Sequence, residues 1–403
     1  MKVLAKAQTV TVFRGFAAML FTLAASPVLN SQGVSFQVIS LGFGILYGIL
    51  AIAEIPTGVW ADVFGSKKSA IFGGLLQALS QVVFAYGNND SLMILSGFAI
   101  YGLGTSFVSG ALSALMYGAA NSEGGESFNS NRYFSATEKV AVVSYILASL
   151  SLGFLSQYFG AKSFLFAGGL FLIAACFVGF AFQELPPERE HKSLRKEFKS
   201  RIQEGFAGIR QSLQLKVLLP VRMLHQVETI LGILWLPWIK DLGGGDARWF
   251  SALATGSYVL RYFVNQYFSG KQRPNSYMPR IVYSLACMAL GTVICAFAGN
   301  VWVALFGVWT MAGARGAFLP AVQAIQHEEF SEKVRTTGLS VMNFSTEVMI
   351  ALSYFISASI VDHISVRTAW LVSGVCFAVG VGISALGTTN KHAGLGEVLE
   401  KSS

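Results

Sequence analysis

Charge is what this chain has least of. Only 12% of its 403 residues are charged, against roughly 25% in soluble domains. With 53% hydrophobic residues and a mean hydropathy of +0.56, that shortage excludes an ordinary soluble protein and points to a polytopic membrane protein. Cysteine is scarce too. Cys176, Cys287, Cys295 and Cys376 all lie in apolar runs without metal-ligand spacing, so neither a disulfide framework nor a metal site is expected, and core thiols are. Also missing are His-Glu-x-x-His, Gly-x-Ser-x-Gly and a phosphate-binding Gly-rich loop ending in Lys-Ser/Thr. The chain is therefore not expected to be an enzyme, to hold a cofactor or to pump with an ATPase module of its own.

Long apolar runs are what is present. Segments of about 20 residues can each span a bilayer. Twelve are read, at 8–29, 35–60, 68–87, 91–119, 136–159, 163–183, 214–239, 248–269, 278–298, 300–325, 336–361 and 366–387, broken at Gly, Asn, Pro and charged clusters. Lys2, Lys6 and Arg14 precede an apolar run ending Ala24-Ala25-Ser26. It is read as a retained first helix, because removing it would leave an odd helix count. The 42 glycines suit close helix packing.

The net charge of +8 does not signal nucleic-acid binding, because the basic residues sit in short inter-helix segments. Lys67/Lys68, the 184–212 segment and Lys271/Arg273/Arg280 fall on the side of the N-terminus. The positive-inside rule then places both termini in the cytoplasm of an inner-membrane protein. Residues 184–212 carry Arg189, Lys192, Arg195, Lys196, Lys199 and Arg201, with Leu194, Phe198, Ile202, Phe206 and Ile209 at helical spacing. They read as a cytoplasmic linker with an amphipathic helix. It separates an N-terminal six-helix bundle, 1–183, from a C-terminal one, 213–403. Equal halves are the signature of repeat-built transporters with a site at their interface. The expected architecture is an all-α membrane protein of twelve transmembrane helices around a central cavity.

One short charged stretch stands between the second and third runs: Gly58-x-x-x-Asp62-x-x-Gly65-x-Lys67-Lys68. Charge there must lie at the membrane surface, in a turn between neighbouring helices. Gly58 is read as permitting close helix contact and Gly65 as permitting a tight turn. Lys67 and Lys68 suit anionic headgroups. This stretch resembles the signature loop of the major facilitator superfamily. Glu54-Ile55-Pro56-Thr57-Gly58 before it, and Tyr101-Gly102-Leu103-Gly104-Thr105 in the fourth run, resemble the group's bacterial drug and metabolite efflux members. The resemblance implies that Gly58, Asp62, Gly65, Lys67 and Lys68 form a conformational latch. The sequence departs from the group's pattern in three places. The fourth run has no arginine, the fifth no Gly-Pro, and the loop Ser269–Pro274 is degenerate.

Ionisable residues at membrane depth are costly and functional by default. Glu54 lies two turns from Asp62 on roughly the same helical face, and Arg14 is placed to pair with it. Arg222, His225 and Glu228 are three apart, so each adjacent pair shares a helix surface. His225 and Glu228 are candidates for proton handling, with Glu54 and Glu347 as further carboxylates; Glu347 is alternatively the neutralising partner of Arg315. Arg14, Arg222, Arg261 and Arg315, with Tyr258, Tyr262 and Trp309, are candidates for the substrate cavity. The expected function is secondary active transport by alternating access, proton-coupled, exporting a small drug, toxin or siderophore-like compound. Uptake of a siderophore or other anionic metabolite is the alternative, and a non-transporting membrane sensor is a second. The expected partners are the small-molecule substrate, protons and the lipid bilayer, with no nucleic acid, and the chain acting as a monomer.

Overall fold

The computed structural model describes residues 2–124, 130–183, 203, 206–210, 212–231, 234–246, 248–269, 277–330, 335–360 and 363–400. Every regular element among them is helical: α1 Lys2–Ser31, α2 Phe36–Phe64, α3 Ser66–Tyr86, α4 Ser91–Gly124, α5 Ser130–Phe159, α6 Ser163–Ala181, α7 Leu213–His225, α8 Trp235–Leu242, α9 Arg248–Ser269, α10 Tyr277–Ala296, α11 Val301–Glu329, α12 Arg335–Ile360 and α13 Val366–Glu400. The helix starts follow the sequence chemistry. Ser35 Oγ accepts from Val38 N–H, Asp90 Oδ1 from Leu92 and Met93, and Asn300 Oδ1 from Trp302 and Val303. Each fills donors that a helix leaves open at its first turn.

Among the described residues, nine runs are long and apolar enough to cross a membrane, and one of them, Ala136–Ala181, takes in most of α5 and all of α6. The 214–239 run is not one helix, contrary to expectation. α7 ends at His225, a 3₁₀ stretch covers Gln226–Leu231, and α8 begins at Trp235. Val227, Thr229 and Ile230 are β-branched and weaken an α-helix, and Thr229 Oγ1 donates to Gln226 O at 2.7 Å, competing with the helical ladder. The Gly58–Lys68 stretch is also more helical than expected. α2 runs through Phe64, and Gly65 alone, at φ 104°, turns the chain into α3. Two of the four cysteines depart from the buried expectation: Cys176 and Cys287 are exposed. In hydrocarbon an apolar thiol is as well placed facing lipid as facing protein. Most of the 184–212 linker lies outside the described residues, though Phe206–Arg210 are helical. Lys271 and Arg273 also lie outside them.

The chain forms two compact units. The first holds residues 1–196, 233–255 and 354–363. Its core is aromatic, with Phe21 against Phe84 at 5.2 Å and against Tyr101 at 4.2 Å between ring centres. α3 and α4 cross where both are glycine. A Cβ on Gly104 would lie 2.8 Å from Gly73 O, and one on Gly73 2.5 Å from Gly104 O. Hydroxyl and amide ties join the helices there: Ser69 Oγ donates to Phe107 O at 2.8 Å, and Gln77 Nε2 to Thr105 Oγ1 at 3.0 Å. Within the same unit, Ser149 Oγ meets Thr255 Oγ1 at 2.9 Å. Gly153 N–H donates to Ser251 Oγ at 3.0 Å, and Ser40 Oγ to Tyr354 O at 2.8 Å.

The second unit holds residues 197–232, 256–353 and 364–403. Its packing uses the same device. A Cβ on Gly291 would lie 2.8 Å from Gly307 O, so α10 and α11 approach backbone to backbone. Ser212 Oγ accepts from Leu215 N–H to start α7 and donates to Glu329 Oε2 at 2.5 Å, joining α7 to the end of α11.

Candidate functional site

The second unit gathers most of the charged residues singled out in the sequence. α7 contributes Arg222 and His225, the 3₁₀ stretch Glu228, α9 Arg261, α11 Arg315 and α12 Glu347. Arg315 forms an ion pair with Glu228. Arg222 Nη2 donates to Asn343 Oδ1 at 3.4 Å and is held electrostatically by Glu347. The pairing thus differs from the one anticipated for Glu347, because α12 sets that carboxylate facing α7. The His225 ring stacks on Phe318 at 4.6 Å and 9°. It feels the charges of Arg315, Arg222 and Arg261, and its Nδ1 lies 3.4 Å from Gln226 Nε2.

This cluster is not saturated. Arg222 Nη1, His225 Nε2, Glu228 Oε2 and Arg315 Nε are buried without a hydrogen-bond partner. Buried polar groups are normally satisfied, and exceptions mark strain, function or a missing guest. Glycines bring the helices together here. A Cβ on Gly316 would lie 2.6 Å from Arg261 O, so α9 and α11 pack closely enough to set Arg261 near Arg315's helix. A Cβ on Gly256 would overlap the Trp309 indole, which places that ring across α9. Tyr258, Tyr262 and Trp309 are all half-buried in this unit.

The first unit builds a second polar group around Arg14. Its guanidinium faces the phenols of Tyr101 on α4 and Tyr145 on α5, and its Nε is buried without a hydrogen-bond partner. Glu54 is half-buried on α2. Tyr47 faces Tyr101 and stacks on Tyr354 at 5.9 Å and 11°. The sequence reading missed this tyrosine group and Asn343. The available signal was the spread of phenols over separate apolar runs at the depth of Arg14, and an amide one turn before Glu347.

The latch residues belong to the first unit. Gly65 N–H donates to Ala61 O at 2.9 Å, closing α2. Lys67 and Lys68 occupy the first turn of α3. A Cβ on Gly58 would meet nothing within 4 Å. Among the described residues, the close helix contact expected at Gly58 falls instead at Gly73 and Gly104. The side chain of Asp62, on the last turn of α2, lies outside the described residues. A cleft of about 780 Å³ in the first unit, lined by Asn30, Ser156, Lys240, Asp241 and Arg248, contains none of the singled-out residues. In its wall, Arg248 Nε donates to Asp246 Oδ2 at 2.6 Å, which holds the Asp246 carboxyl below the usual carboxylate range.

Known proteins place this architecture. Among solved structures, a mutant form of the nucleoside transporter NupG superposes with a TM-score of 0.80 at 12% identity, covering 95% of this chain and 99% of its own. The POT family transporter PepTSo gives 0.75 at 12% identity, covering 97% and 98%. At such identities the likeness is one of fold. An uncharacterized transporter of Buchnera aphidicola subsp. Schizaphis graminum (strain Sg) is 24% identical over 256 residues, 62% of this chain. Multidrug resistance protein 2 of Bacillus subtilis (strain 168) is 29% identical over 180 residues, 41% of this chain. The aligned parts span 60% and 41% of those relatives. The sequence profile of the Major Facilitator Superfamily matches residues 9–271, well over half of the chain. With its helical fold and apolar spans, the chain belongs to the Major Facilitator Superfamily.

Proposed function

We propose that the protein is a proton-coupled secondary transporter that exports a small amphipathic compound by alternating access. Its two six-helix halves, 1–183 and 213–403, are joined by the 184–212 linker, with both termini on the cytoplasmic side of the inner membrane. The observation that carries this reading is the Arg315–Glu228 ion pair beside Arg222, Glu347 and His225. In a low-dielectric site a carboxylate and a guanidinium bind each other strongly. A proton on Glu228 cancels its charge and releases Arg315, so proton occupancy and side-chain arrangement are linked. Glu347 and Arg222 form a second linked pair, and His225 lies within the field of three arginines. Gly65, Asp62, Lys67 and Lys68 serve as the latch that holds one conformation. Export is favoured by the likeness to multidrug resistance protein 2 and by the Glu54–Gly58 pattern.

The test is flux of labelled compounds into everted and right-side-out vesicles with an imposed pH gradient. Export predicts proton-driven accumulation in everted vesicles only. Accumulation in right-side-out vesicles supports uptake instead. No flux in either orientation across a broad panel supports the sensor reading.

A further inference from the structure

We infer that the substrate is an organic anion and that Arg14, flanked by Tyr101 and Tyr145, receives its carboxylate. This rests on the transporter reading and extends it to the chemistry of the cargo. The inference comes from matching charges. Of the intramembrane arginines, Arg315 has Glu228 and Arg222 has Glu347. Among the described residues, Arg14 and Arg261 have no carboxylate partner: Arg261 faces His225, and Arg14 faces phenols. Arginine keeps its proton in proteins. A guanidinium in an apolar bundle is stabilised by a counter-charge, and where the described residues supply none, a ligand can.

Arg14 is better built as a receptor than Arg261. Its Nε is a buried donor with no acceptor, and a guanidinium presents parallel donors that match the two oxygens of a carboxylate. The phenols of Tyr101 and Tyr145 add hydroxyl donors beside it. Gly15, next in sequence, makes room for one of these rings: a Cβ there would sit 3.3 Å from Tyr145 Cε1. Tyr47 lies beyond Tyr101, and a Cβ on the adjacent Gly48 would meet no atom within 4 Å. Cationic donors between aromatic walls suit a flat, amphipathic monoanion. They disfavour a cation, which Arg14 would repel.

The experiment measures equilibrium binding of 2-naphthoate and of its neutral isostere 2-naphthamide to the full chain in nanodiscs, with no pH gradient. Wild type is expected to bind the carboxylate at least tenfold more tightly than the amide. Arg14→Gln should abolish that preference while the amide affinity stays put. Arg14→Lys, which keeps the charge and loses the fork, and Tyr145→Phe, which keeps the ring and loses the hydroxyl, should each reduce it several-fold. These two variants serve if Arg14→Gln does not fold. Equal affinity for acid and amide in wild type, no binding of either, or an unchanged preference in the Arg14 variants overturns the inference. Because no gradient is present, a failure of proton coupling leaves the outcome untouched, so the two readings fail separately.

Discussion

Replacing Glu228 with Gln removes Arg315's counter-charge and leaves the shape of the site almost unchanged. Arg315 is 26% exposed and Glu228 13%, so the pair is mostly but not fully shielded from solvent. Removing one member of a buried pair typically costs 3–5 kcal/mol. The residual exposure of Arg315 argues for the lower end, about 3 kcal/mol. An unfolding entropy of about 2.1 cal/mol/K per residue over 403 residues gives roughly 0.85 kcal/mol/K. The midpoint should then fall by about 3–4 °C if the chain unfolds as one. Glu228→Gln/Arg315→Met should recover most of that loss, because replacing both partners with neutral groups is often neutral or stabilising. The assay is thermal unfolding of the purified chain in one detergent, followed by tryptophan fluorescence. An unchanged midpoint in Glu228→Gln, or a double variant no more stable than the single one, would refute the pairing.

Gly104→Ala should lower the same midpoint by an amount corresponding to about 1–3 kcal/mol of overpacking, since its Cβ would press on Gly73 O. Gly110→Ala, whose Cβ meets nothing within 4 Å, should be neutral or stabilising by up to about 1 kcal/mol. Asp62→Asn is expected to cripple flux in proteoliposomes while ligand binding stays near wild type; normal flux would show that Asp62 is no part of a latch. Asp246 is held below the ordinary value, about 3.9, chiefly by the side-chain hydrogen bond from Arg248. Its contribution to stability is therefore present above that value and lost as pH falls through the lowered one. In an isotope-edited infrared titration, Arg248→Ala should move Asp246 back up, and an unmoved carboxyl would show that the bond is absent in solution.

Much of the fold was legible because hydrocarbon enforces it. Apolar runs of spanning length, opened by the capping residues Ser35, Asp90 and Asn300, leave few alternatives to helices that start where the structure starts them. The 214–239 run was misread because hydropathy does not register a 3₁₀ break. The β-branched residues Val227, Thr229 and Ile230 were the local sign. The single-residue turn at Gly65 was hidden because Gly58–Phe64 carries charge and glycine yet stays helical. The site was half legible. Ionisable residues announce themselves by their rarity, so Arg14, Arg222, Arg261, Arg315, Glu228 and Glu347 were found. Their partners were not, because pairing depends on how each helix is rotated about its own axis. That rotation gave Glu228 to Arg315, Glu347 to Arg222, and phenols to Arg14.

Proton coupling is tested most directly in proteoliposomes loaded with a pH-sensitive dye. 2-Naphthoate and a panel of amphipathic anions are added one at a time without an imposed gradient. For a compound that labelled-uptake measurements show to be carried, wild type should change the luminal pH as the compound moves, and Glu228→Gln should carry it without changing luminal pH. Flux in wild type with a constant luminal pH, or an equal pH change in Glu228→Gln, would contradict coupling through this ion pair.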